Sequence, residues 1–93
     1  MPTIGEVENQ IRRLEGFKVH FVHADGTNMR SDHAPPGLKT YPYRNAADKT
    51  WTVAEWEQKR FALHYPGFRV VYLTSDNLPM TYRQRSLASF REL

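Results

Sequence analysis

TVAEWEQKRFALHYPGFRVVYLTSDNLPM, residues 52–80, decides how the chain is read, because TIGEVENQIRRLEGFKVHFVHADGTNM, residues 3–29, can be laid on it with two extra residues in the later copy. Identical pairs are Thr3/Thr52, Glu6/Glu55, Glu8/Glu57, Gly16/Gly67, Phe17/Phe68, Val19/Val70, Asp25/Asp76 and Met29/Met80. Each pair has a physical reason. Thr-x-x-Glu opens both copies as a capping box, in which the threonine oxygen accepts a first-turn N–H and the glutamate reaches back to the cap. Ile4, Val7, Ile11 and Leu14 then recur at helical spacing, and Val53, Trp56, Phe61 and Leu63 do so less regularly. Gly16 and Gly67 stand where a left-handed C-cap ends each helix, and Pro66 reinforces the second stop.

Alternation follows. Phe17, Val19 and Phe21 interleave with Lys18 and His20, and Phe68, Val70 and Tyr72 with Arg69 and Val71, so each run reads as a strand with its aromatic positions on one face. Asp25-Gly26 and Asp76-Asn77 supply the positive-φ residues of tight turns, and return strands are expected over 27–30 and 80–85. The predicted fold is therefore α+β: a duplicated αββ unit (αββαββ), a short C-terminal helix over 86–93, and an antiparallel four-stranded sheet with helices packed on one face. This element order is similar to that of LAGLIDADG-type homing endonuclease units, and the first helix ends Leu14-Glu15-Gly16, an acid then a glycine. That family's interface helix is small and apolar, whereas this one carries Asn9, Gln10, Arg12 and Arg13, so the resemblance implies an element order and not an activity.

Residues 1–93 read as a single domain, with pseudo-repeats 3–30 and 52–85 joined by a connector over 31–51. Apolar residues make up 40% and aromatics 13% of the chain, which is globular rather than disordered. There is no cysteine, hence neither a disulfide framework nor a thiolate metal site. The Met1-Pro2-Thr3 start is not that of a signal peptide and no apolar run spans a bilayer, so a cytoplasmic location without membrane contact is expected. Net charge is +3, rising from zero over residues 1–30 to +2 over 61–93. That permits a polyanionic partner without concentrating charge as dedicated nucleic-acid binders do.

The connector carries Pro35-Pro36-Gly37, Tyr41-Pro42-Tyr43 and Trp51. Some 20 residues without an element are uncommon in so small a domain, and the aromatics argue against simple disorder. The second sheet face, with Lys18, His20, Val22, Arg69, Val71 and Leu73, is part basic and part apolar, less polar than a solvated face. Either the connector covers it through Tyr41, Tyr43 and Trp51, or a partner does. Aromatic and basic residues also interleave over 39–51 and 82–85.

These features point to a small non-enzymatic binding module that engages a protein or nucleoprotein complex; a phage or mobile-element inhibitor or an accessory protein would be an instance. Tyr41, Tyr43 and Trp51 would be aromatic anchors, with Lys39, Arg44, Arg83 and Arg85 supplying complementary charge and Lys18, His20 and Arg69 contributing from the sheet. Direct nucleic-acid binding is the alternative, since bases stack on aromatic rings while cations meet phosphates. A histidine-dependent ribonuclease using His20, His64 and Lys18 is a third reading. A homodimer through Val22, Val71 and Leu73 competes with all three. His20 and His23 lie three apart on a strand and so face opposite ways, which argues against a metal site. No glycine-rich phosphate loop, GxSxG or HExxH is present, and no cofactor is implied.

Overall fold

The computed structural model describes residues 2–27, 29–81 and 83–92. Helix α1 spans Ile4–Glu15 and strand β1 Lys18–His23. Helix α2 is α-helical over Val53–Trp56, π-helical over Glu57–Phe61 and α-helical again over Ala62–His64. Strands β2 (Phe68–Leu73) and β3 (Pro79–Met80) and helix α3 (Leu87–Arg91) complete the described elements. The sheet is antiparallel in the order β1-β2-β3, with His20 opposite Val71 at the centre of the long pair.

The helix ends follow the residues that flank them. Thr3 Oγ1 accepts from the Glu6 N–H at 3.2 Å. At α2 both halves of the capping box are made, with Thr52 Oγ1 accepting from Glu55 and the Glu55 carboxylate accepting from the Thr52 N–H. Gly16 and Gly67 adopt φ of 82° and 87°, a conformation in which a side chain would be strained, and each turns the chain from a helix into its strand.

The four-stranded αββαββ arrangement is not what forms: among the described residues the sheet has three strands, and β3 is only two residues long. The expected first return strand is not a strand among its described residues, Asn28 lying outside them, and the expected second one shrinks to Pro79–Met80, Tyr82 lying outside as well. Two competing sets of hydrogen bonds explain this. The first two N–H groups of each helix have no intrahelical acceptor, and the returning chain supplies one. Ile4 and Gly5 donate to the carbonyls of His33 and Ser31, and Val53 and Ala54 donate to those of Arg85 and Arg83. On the outer edge of β1, the Phe21 N–H is taken by the Glu8 carboxylate of α1 at 2.8 Å, where a further strand would have paired. The turns themselves match closely: His23 donates to Thr27 and Gly26 to His23, as Thr74 donates to Leu78 and Asn77 to Thr74.

The π-helical turn accounts for the irregular stripe in α2. In an α-helix five residues place Phe61 about 140° round from Trp56. The wider turn, closed by the Ala62 N–H on the Glu57 carbonyl, absorbs one extra residue and brings both rings inward, their centroids 6.0 Å apart. Leu63, expected in the stripe, is instead 68% exposed, and Tyr65 takes the next buried position.

The core lies between the Val19, Phe21, Val70 and Tyr72 face of the sheet and the helices, which contribute Ile4, Val7 and Ile11, then Val53, Trp56 and Phe61, then Leu87 and Phe90. Phe17 is held edge-on to Trp56 at 5.1 Å and stacked on Phe90 at 4.9 Å. Such contacts add about 0.5–1.5 kcal/mol each beyond the area they bury, a useful supplement in a core this small.

Candidate binding surface

Alternation along the strands turns the other side chains to the opposite face of the sheet. Three rungs lie there: Val22 beside Arg69, His20 beside Val71, and Lys18 beside Leu73 and Pro79. Val71 is central and 38% exposed, Arg69 is exposed, and Leu73 is half-buried. Val22 is buried, so of the three residues expected to form a dimer patch only Val71 and Leu73 offer surface. Lys18 is tethered at the rim, its Nζ donating to the Ser75 carbonyl at 3.3 Å and to Asn77 Oδ1 at 3.1 Å. The face thus presents an apolar centre with cations at its rim.

Glu8 brings an acid against this face at His20. The His20 Nδ1 lies 3.1 Å from the Glu8 carboxylate, which also accepts the Phe21 N–H. Burial raises the Glu8 carboxyl above its ordinary value, and the Phe21 N–H and His20 oppose that rise.

The connector covers another part of the molecule. It forms no helix or strand, and it packs over the seam between α1 and α2 rather than over the open sheet face. The Tyr41 N–H donates to Gln10 Oε1 at 3.0 Å, and Tyr65 Oη donates to the Lys39 carbonyl at 3.1 Å. At the centre is Glu15, 1% exposed. Its carboxylate accepts from Arg60 at 2.7 Å, Arg91 at 3.1 Å, Tyr41 Oη at 2.6 Å and the Ala47 N–H at 2.8 Å. The same guanidiniums donate to the carbonyls of Asn45 and Ala47. A buried carboxylate is tolerated only when so fully paired. Burial, then the bond to Glu15, pushes the Tyr41 hydroxyl far above its ordinary value.

The expected anchors are therefore placed in the fold's own packing. Tyr41 is buried, and it also accepts the Trp56 indole N–H at 3.1 Å. Tyr43 is half-buried, its ring under the Arg60 guanidinium at 4.0 Å and its hydroxyl 3.0 Å from His64 Nε2. Trp51 is half-buried beneath Lys59 Nζ at 4.6 Å. Lys39 and Arg44 are exposed on this layer, away from the sheet face. Arg83 pairs with Glu57, and Arg85 donates to Ser89 Oγ at 2.7 Å. Of the ten residues expected to bind, the fold gathers Lys18, His20 and Arg69 on the sheet face, Tyr41, Tyr43 and Trp51 in the connector layer with Lys39 and Arg44 exposed on it, and leaves Arg83 and Arg85 apart from both.

The histidines do not converge. His20 stands on the open sheet face with Glu8, whereas His64 ends α2 in the helical layer against Tyr43. An acid–base pair built on both has no common site. Among the described residues no cluster of three potential metal ligands occurs, and no helix is long and apolar enough to cross a membrane. Glu15, Glu8 and Arg60 are the residues that sequence reasoning passed over. Glu15 did carry a signal: an acid in the last turn opposes the helix dipole and calls for a nearby cation. Comparison with protein-family models, curated proteins and solved structures gave no match, so the functional reading rests on this chain's own geometry.

Proposed function

We propose that this chain is a binding module that docks on another protein through the open face of its sheet. The observation that carries the reading is the pattern of that face: Val71 and Leu73 at its centre, with Lys18, His20 and Arg69 around them. Buried interfaces favour this pattern, with an apolar centre that loses water and a charged rim that selects the partner. The chemistry implied for the partner is an apolar patch edged by carboxylates, and the action is recruitment or occlusion. Protein is favoured over single-stranded nucleic acid because stacking needs exposed rings, and Tyr41, Tyr43 and Trp51 are committed to the helical layer.

The test is an affinity capture from lysate of the natural host, with nuclease present, comparing wild type with Val71→Glu, Arg69→Glu and Tyr43→Ala. A protein retained by wild type and Tyr43→Ala but lost with Val71→Glu and Arg69→Glu supports the reading. Val71 is surface, so its replacement should leave the melting temperature within a few degrees of wild type. A captured set indifferent to both face variants, or one that vanishes with nuclease, overturns it.

A further inference from the structure

Past Lys18 and Leu73 the open sheet face continues into a groove of about 300 Å³ between α1 and the outer edge of β1. Glu8 and Arg12 line it from the helix, and Lys18, Val19 and His20 from the strand. Val19 turns its side chain into the core, so what it shows the groove is backbone.

The register gives the direction of that backbone. In an antiparallel pair, bonded and non-bonded positions alternate. The Phe21 N–H goes to Glu8 and the His23 N–H to the Thr27 carbonyl, both away from β2. Val19, two residues before Phe21, therefore also points its N–H and C=O away from β2, into the groove. Carried back along β1, the His23–Thr27 pairing sets Ser31 across from Val19, and the Ser31 carbonyl is taken instead by Gly5. Among the described residues nothing accepts from the Val19 N–H, and a donor on a residue only 6% exposed calls for an acceptor in the groove.

Cations stand beside that donor. Arg12 is exposed where it lines the groove. Lys18 Nζ is fixed by the Ser75 carbonyl and Asn77 Oδ1, which use two of its three protons and leave one. Glu8 is the opposing charge, but its carboxylate is engaged by the Phe21 N–H and His20 Nδ1. Two steps along a strand separate the Phe21 and Val19 N–H groups by about 7 Å, which sets Glu8 at the far end of the groove.

We infer that the groove takes a carboxylate side chain of the protein docked on the open face. The carboxylate accepts from the Arg12 guanidinium and the Val19 N–H, with Lys18 alongside, and its methylene stem lies against Leu73. The inference rests on the face being the docking surface, and it names where the partner's acid is read. Charge argues for this occupant. Two cations against one acid leave a single net positive charge with His20 neutral, which a carboxylate cancels and a phosphate dianion overshoots. A phosphodiester is also a monoanion, but a single strand of nucleic acid needs exposed rings to stack on, and those of Tyr41, Tyr43 and Trp51 belong to the helical layer.

The probe is acetate, titrated into the isotope-labelled whole chain at constant ionic strength and followed by amide NMR, with chloride and dimethyl phosphate as comparison anions. The Val19 amide proton should move downfield and saturate, with half-saturation on the order of 10 mM. Arg12→Gln should weaken acetate about fivefold, whereas Arg13→Gln, beside Tyr41 and Tyr43, should leave it unchanged. A Val19 shift that never saturates, an equal response to chloride, tighter binding of dimethyl phosphate, or an Arg12→Gln protein that binds acetate as wild type does would each overturn the inference. Capture from lysate separates this failure from that of the face. A partner lost with both Val71→Glu and Arg12→Gln supports the inference. One lost with Val71→Glu but retained by Arg12→Gln overturns it and leaves the face reading intact. A partner indifferent to Val71→Glu strikes the face reading, and the inference with it, even where acetate binds.

Discussion

Replacing Glu15 by Gln removes one negative charge from a site where two guanidiniums converge. Arg60 and Arg91 have side chains 13% and 22% exposed, so neither is solvated enough to stand unpaired. Breaking a buried ion pair from one side costs about 3–5 kcal/mol. Partial exposure of both arginines puts the expected loss near the lower end, about 3 kcal/mol. A chain of this length has a total stability on the order of 5–14 kcal/mol, so the variant stays folded at room temperature but is much weakened. At about 5 °C per kcal/mol for a domain of this size, the melting temperature should fall by about 15 °C. The assay is thermal unfolding followed by near-ultraviolet circular dichroism, with urea titration as the independent measure of free energy. Native-state hydrogen exchange should also show the Ala47 amide losing protection, since losing the charge frees the two guanidiniums and lowers the cost of opening the connector locally. A fall of less than about 5 °C, or an Ala47 amide as protected as before, would refute the view that Glu15 ties the connector to the helices.

Alkaline pH should destabilise the protein through Tyr41, Tyr65 and Tyr72, all held above the ordinary tyrosine value chiefly by burial. Above about pH 10 the unfolded chain releases protons that the folded one retains, so stability falls by up to about 1.4 kcal/mol per pH unit for each tyrosine; urea midpoints that stay level from pH 9 to 11 would contradict this. Glu8→Ala leaves the Phe21 N–H without its acceptor and should cost about 1–3 kcal/mol, whereas Glu8→Gln keeps an acceptor and should cost less than half as much. Equal losses in urea titration would show that the edge bond is not what Glu8 supplies.

The elements were largely legible because their signals are local. Thr3 and Thr52 before helical periodicity, Gly16 and Gly67 after it, and the alternation of 17–21 and 68–72 each act within a few residues. The number of strands was not legible, because it depended on where the returning carbonyls of Ser31, His33, Arg83 and Arg85 would be used. Helix starts and a sheet edge compete for such groups, and no local pattern says which prevails. The candidate face shows the same division. Lys18, His20 and Arg69 share it by strand periodicity alone, whereas the inward turn of Tyr41 followed from Glu15, 26 residues away. The gap in the stripe of α2 was visible as a five-residue step from Trp56 to Phe61, and a π-helical turn is how the backbone accommodates it.

The pairing of Glu15 with Arg91 joins positions 76 residues apart. While the chain is being synthesised, α1 can form early, yet its terminal carboxylate has neither guanidinium partner until α2 has emerged, and not both until the last helix is free of the ribosome. Burying that charge sooner would carry the full cost of desolvation. Compaction is thereby postponed until residue 91 has cleared the ribosome, and a nascent chain stalled before residue 91 should remain sensitive to protease along the connector. Long-range closure of this kind also slows folding relative to helical proteins of the same length, so the completed chain is expected to spend longer exposed to proteases and chaperones before its connector is locked down.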